Sequence, residues 1–190
     1  MWAITRNRLF RGSLGFVAGL AMWLGLAVAY HSVVALGAEQ LMNLFESPNV
    51  TRLVPKGKDV ILVRTDFDPR SPHPQLPVGD LTFNVVLLST LLAAAGPPFA
   101  LGKGGRWIAA FAALYSVHVA ALSTKVMALY VLRMGEWSRV HYGTFARDAW
   151  SGADHFYRFV GVYASVFIIW WLAREGEEVR LSSPRSRKRR

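Results

Sequence analysis

Tyr115, His118 and Lys125 lie in one apolar stretch, "WIAAFAALYSVHVAALSTKVMALYVL", residues 107–132. Spacings of three and seven put them on one side of an α-helix. Histidine and lysine are residue types for a proton or ligand path, and ionisable groups in an apolar span imply a partner, a cavity or a site. Leu122 interrupts the row, and Ser116 and Ser123 fall on roughly the opposite side. The competing reading is architectural: a neutral, hydrogen-bonded His118 and a Lys125 stem reaching outward, both orienting a helix bundle. It is the favoured one, because no acidic residue lies deep in any apolar run to complete a relay. His31 and Glu39 sit late in the first apolar run, at a depth similar to that of Lys125. Glu39 is expected to pair with Lys125 or Arg133, compensating both charges.

A second constellation, Asp66, Asp68, His141, Asp148, Asp154 and His155, has residue types for metal or acid/base chemistry but no recognised spacing. The carboxylates of Asp66-Phe67-Asp68 fall short of a coordination shell for a hard cation and read as solvated turn residues. His73, between two prolines, reads as an exposed loop residue. No phosphate-binding Gly-rich loop, zinc-binding His-Glu-x-x-His or Gly-x-Ser-x-Gly nucleophile is present. The absence of cysteine excludes disulfides, thiolate metal sites and a cysteine nucleophile. No cofactor, metal or catalytic residue is assigned.

Long apolar runs are the elements that must position these groups. The 190 residues are 53% apolar, in runs rather than at helix or strand periods, which points to lipid as the solvent. Four spans are predicted: 13–38, 81–101, 107–132 and 156–173. The first, after Arg6, Arg8 and Arg11, also fits a signal peptide loosely but is long for one. Gly15-x-x-x-Gly19 permits close helix approach, and Asn84, Ser89 and Thr90 could hydrogen-bond between helices. The second span ends at Pro97-Pro98, where two amide donors are lost. Trp170 and Trp171 near the end of the fourth suit the headgroup level.

Lysine and arginine number three before the first span, two in the turn 102–106 and seven in the tail 174–190. Five lie between spans one and two, and four between spans three and four, counting Arg158. The basic N-terminus 1–12 and the tail are therefore expected in the cytoplasm, and the loops 39–80 and 133–155 outside. The net charge of +10 lies mostly at the chain ends, where it sets orientation rather than marking a nucleic-acid binder. The tail, ending in "RSRKRR", is expected to be disordered and near anionic lipid. The loop 133–155 reads as an amphipathic interfacial segment.

In the first outward loop, "NVTRLV" and "DVILVRTDF" flank "PKGK", which predicts a β-hairpin. Ile61, Val63, Thr65 and Phe67 would share one face and Val60, Leu62, Arg64 and Asp66 the other. "DPRSPHPQLP" is expected to return to the membrane as extended, polyproline-like chain. Asn49-Val50-Thr51 is a glycosylation sequon by pattern only.

Residues 76–122 run from an outward loop ending on Leu-Pro, through a span closing on proline and a basic turn, to a histidine-bearing span. This order resembles the small membrane proteins that accompany bacterial exosortases, especially the exosortase H-associated family, over about a quarter of the chain. Exosortases use a cysteine nucleophile, which this chain lacks, so the resemblance implies an accessory subunit and carries over no functional residues.

The sequence thus predicts an all-α integral membrane protein with four transmembrane helices and a short β-hairpin in the first outward loop. It reads as a non-catalytic accessory or assembly protein of a bacterial inner membrane, partnered by the bilayer and by another membrane protein. Val60, Ile61, Leu62, Val63, Arg64 and Phe67 are the candidate docking residues, through hairpin edges open to strand addition. Two alternatives stand beside it. One is an enzyme or transporter subunit using His118 and Lys125 or the outer cluster; the other is a structural subunit of a bioenergetic or photosynthetic complex, held by Gly15 and Gly19.

Overall fold

A computed structural model describes residues 2–68, 70–96 and 104–182. Apolar sequence becomes helix first: α1 runs unbroken over Trp2–Asn43, α4 over Gly104–Arg133, and α6 (Thr144–Phe156) joins α7 (Val162–Ser182) through a π-helical stretch, Tyr157–Gly161. Three helical segments, Arg6–Asn43, Gly104–Arg133 and Thr144–Arg174, are long and apolar enough to cross a membrane. Little of their apolar windows is buried by protein, 11% in the first and 6% in the last. Val17, Leu24, Leu26 and Val28 on α1 and Phe159, Phe167 and Ile168 further on are all about half exposed or more, an arrangement that suits a hydrocarbon solvent.

The expected second span, 81–101, lies only partly within the described residues. The apolar helix covers Gly79–Ala95 as α2 (Gly79–Thr82) and α3 (Asn84–Ala95), about 26 Å against about 30 Å of hydrocarbon. Pro97-Pro98 and residues 102 and 103 of the 102–106 turn lie outside the described residues, and the rest of that turn is the first turn of α4. The fourth helix is longer than 156–173 at both ends. The loop 133–155 is itself helical, as α5 (Glu136–His141) and α6, and α7 extends into the expected disordered tail as far as Ser182. Charge ends an apolar span without ending a helix, because Arg and Glu are good helix formers. The "RSRKRR" segment lies outside the described residues.

Between α1 and α2 the chain forms a three-stranded antiparallel sheet in the order β1 (Thr51–Lys56), β2 (Asp59–Arg64), β3 (Gln75–Pro77). Lys56 pairs with Asp59, leaving Gly57-Lys58 as a two-residue turn. Gly57 has φ +65° and among the described residues no non-glycine has positive φ, the pattern of a type II′ turn with glycine first. The proline-rich return is not polyproline throughout: Gln75–Pro77 pairs with Asp59–Ile61, and the Leu62 N–H donates to the Pro74 carbonyl at 2.9 Å. Proline at strand ends removes donors only where the ladder does not need them.

The chain divides into two compact units, one of Met1–Trp23, Asn84–Leu114 and Tyr163–Arg190, the other of Leu24–Phe83 and Tyr115–Val162. The sheet belongs to the second, here the sheet unit. Its core joins Leu53, Val60, Leu62 and Leu76 of the strands to Val34, Ala38 and Met42 of α1 and Leu122, Val126 and Tyr130 of α4. The hairpin face that carries Leu53, Val60 and Leu62 is therefore buried against the helices. In the first unit, helices approach at glycine: a Cβ on Gly15 would stand 2.9 Å from the Ser89 carbonyl oxygen, and one on Gly19 2.8 Å from the Ser89 Cβ. Close approach of this kind gives van der Waals packing where the solvent offers no hydrophobic drive.

Candidate functional site

Helix periodicity brings the polar residues of α1 and α4 to the sheet unit's interior. His31, fully buried, has Nε2 2.9 Å from the Thr82 Oγ1 and Nδ1 3.5 Å from the Gly57 carbonyl, linking α1 to α2 and to the hairpin turn. His118, also fully buried, has Nδ1 2.7 Å from the Tyr30 hydroxyl, and the two rings meet edge to face at 5.7 Å. The Tyr115 hydroxyl donates to the Val33 carbonyl at 3.3 Å, beside Gly37, where a Cβ would come within 2.8 Å of Val119. Leu122, which breaks the polar row in sequence, is a fully buried core residue.

Glu39 makes neither of its expected pairs. Its Oε2 accepts the Leu53 N–H at 2.8 Å and its Oε1 the Arg52 guanidinium at 3.0 Å, while the Lys125 Nζ donates to the Pro77 carbonyl at 2.8 Å. The register explains the choice. In the β1–β2 ladder the Thr51 and Leu53 N–H groups point away from β2, and backbone donors at a sheet edge are as demanding as charges. Glu46 takes the Thr51 N–H at 3.0 Å and its hydroxyl as well; Tyr130 bonds the same hydroxyl. Pro55, the next outward position, has no N–H.

The β1 edge is therefore closed, and the β3 edge is blocked at Pro77. On β1, two carboxylates and a proline occupy the outward positions; on β3, Pro77 lacks a donor and Lys125 holds its carbonyl. Of the docking residues expected at an open hairpin edge, all but Phe67 are on β2, which is the central strand. Val60 and Leu62 are buried, and only Ile61 and Val63 face outward, half-buried.

Arg64 and Phe67 join a separate cluster. The Arg64 guanidinium donates to Asp66 through Nε at 2.9 Å and Nη2 at 2.6 Å, a bidentate fork. It also lies 4.2 Å from the Trp137 ring centroid, 4.8 Å from Tyr130 and 4.9 Å from Phe67, a three-sided cation–π cage. The hydrogen bond from Arg64 holds the Asp66 carboxyl below its ordinary range, and the same pairing raises the guanidinium despite its burial. His141 stacks on Trp137 at 4.5 Å and bonds its own helix at the Trp137 carbonyl, and His155 bonds the Ser151 carbonyl. Asp154 pairs with Arg158 at 3.4 Å. Among the described residues no group of three or more metal-ligating side chains converges.

In the first unit, Ser89 and Thr90 bond back to the Val85 and Val86 carbonyls of α3 at 2.8 Å rather than to another helix. Gly15 and Gly19 do pack closely, against α3.

Sequence reading did not single out Glu46, Thr82, Tyr130 or Ser138, and it marked Thr51 only as part of a sequon. Ser138 bridges α5 to α4 by donating to the Tyr130 carbonyl at 2.6 Å and accepting the Met134 N–H at 2.9 Å. Such residues show only once register and crossing are known, because their partners are mostly backbone groups. No protein-family model, curated protein or solved structure matches this chain.

Proposed function

We propose that this chain is a four-span protein of a bacterial inner membrane, with both termini cytoplasmic, acting without catalysis as an accessory or assembly protein for another membrane protein. An exosortase-type sorting system is the partner class the sequence resemblance favours. Gly79–Ala95, continued by apolar sequence, supplies the remaining span in this reading.

The observation that carries the reading is the outward face of the sheet. Val54 stands opposite Ile61, and Val63 lies one pair further along β2. Val54 is 48% exposed, and Arg52, Lys56, Asp59 and Gln75 frame the patch. Because the β1 edge is closed and the β3 edge is short and blocked at Pro77, a partner would meet this face by side-chain packing and not by strand addition. The polar groups of α1 and α4 support the same reading, since His31, Glu39 and Lys125 hold the sheet against its helices.

The test is mild-detergent purification of the tagged chain with quantitative mass spectrometry, beside a Val54→Asp/Ile61→Lys variant. A stoichiometric membrane partner that the variant loses, with the variant still inserted, is the expected result. A wild-type chain that purifies alone and monodisperse overturns the proposal. Orientation is tested directly because the chain has no cysteine of its own. Lys58→Cys should react with a membrane-impermeant maleimide in whole cells, and Asn7→Cys should not.

A further inference from the structure

In the first unit, three arginines from three different helices line one cavity of about 310 Å³: Arg8 of α1, Arg106 of α4 and Arg174 of α7. Trp107 and Trp170 form part of its wall. Trp170 is fixed by its indole N–H, which donates to the Leu91 carbonyl at 3.2 Å, and Arg174 lies over the Trp170 ring at 5.9 Å.

Trp107 also lines a second, almost wholly apolar groove of about 480 Å³ in the same unit. Arg11 stands at one end, and Gly15, Gly19 and Met22 follow along α1, with Phe111 of α4 opposite. From Arg11 to Met22 the groove follows α1 for about 16 Å. Arg8 and Arg11 are three residues apart, so they occupy one side of the helix.

A basic, tryptophan-walled cavity beside a long apolar groove has the chemistry of an anionic amphiphile turned inside out. We propose that this unit holds one anionic phospholipid, its phosphate among Arg8, Arg106 and Arg174 and an acyl chain in the groove along Gly15, Gly19 and Met22. Planar guanidinium groups bind phosphate oxygens in pairs, and indoles suit the headgroup level. The inference rests on the membrane reading of the chain but not on its partner. The charges that orient the protein would then also select a lipid, since basic pockets between spans favour anionic headgroups.

The test uses the full chain in mild detergent, delipidated and titrated with dioleoyl phosphatidylglycerol or dioleoyl phosphatidylcholine, with bound lipid counted by native mass spectrometry. One phosphatidylglycerol should be retained, about a hundredfold more tightly than phosphatidylcholine. An Arg8→Gln/Arg106→Gln/Arg174→Gln variant should lose that preference, and Arg139→Gln, in the other unit, should keep it. The triple lysine variant should keep most of the preference, separating charge from folding. Equal retention of the two lipids by the native chain overturns the proposal. So does displacement of phosphatidylglycerol by inorganic phosphate alone, which would make the occupant a free anion. Resistance of the native chain to alkaline carbonate extraction, measured in parallel, keeps failure here distinct from failure of the membrane reading.

Discussion

The two units solve the problem of a polar group in an apolar protein in opposite ways. In the sheet unit, polar side chains bond inward: His31 to Thr82, Tyr30 to His118, Glu39 to Leu53, and Arg64 to Asp66 inside its aromatic cage. In the other unit the close contacts are made by glycine and alanine, and the strongest charges gather around a cavity. Inward-bonded polarity makes a shape, whereas charge gathered at a cavity makes a site.

The largest test of this contrast is Leu62→Ala, which removes a fully buried strand residue and should destabilise the sheet unit by about 2–5 kcal/mol in detergent unfolding. An effect under about 1 kcal/mol would mean that the sheet is not part of a packed core. Next is Gly15→Ala in the other unit, where the new Cβ would press on the Ser89 carbonyl; about 1–3 kcal/mol is expected from the same measurement. A neutral result would show that the helices part easily and that packing there is looser than hydrogen bonding in the sheet unit.

Glu39→Ala leaves the Leu53 N–H without its carboxylate and should cost about 1–3 kcal/mol. It should also raise concentration-dependent association of the solubilised protein, because an open sheet edge templates pairing. Unchanged association by light scattering would show that Glu39 is not what closes the edge.

The smallest effect concerns pH. Arg64 lowers the Asp66 carboxyl, so its contribution is complete above the ordinary carboxylate range and fades as pH falls through the lowered value, below about pH 4. The Asp66 side chain is 38% exposed, and solvent screening limits the effect to about 0.2–1 kcal/mol. Asp66→Asn should flatten that part of the acid-unfolding profile; the same slope in variant and wild type would assign the acid sensitivity elsewhere.

Much of the architecture was legible because it depends on one-dimensional signals. Apolar run length marks α1 and α4, and "PKGK" between β-branched runs marks the β1–β2 hairpin. The third strand was hidden because four prolines in "DPRSPHPQLP" mask a three-residue pairing segment. Glu39 was assigned to Lys125 or Arg133 because sequence shows charges but not backbone donors, and the Leu53 N–H exists as a demand only after the strand has formed. The arginine cavity was invisible for a related reason. Arg8, Arg106 and Arg174 each read as a charge beside an apolar run, and their convergence belongs to three segments at once.

The guarded positions at the two edges of the sheet also impose an order on biogenesis. Glu39 and Glu46 precede β1 in the chain, so that edge has its carboxylates ready as soon as the strand emerges from the ribosome. The β3 edge must wait for Lys125, 48 residues beyond Pro77. At a synthesis rate of about 5–20 residues per second, that is an interval of about 2–10 s in which the newborn loop still displays one unguarded strand. Any chaperone or insertion factor that recognises this loop by its backbone has those seconds, on one side only, in which to act.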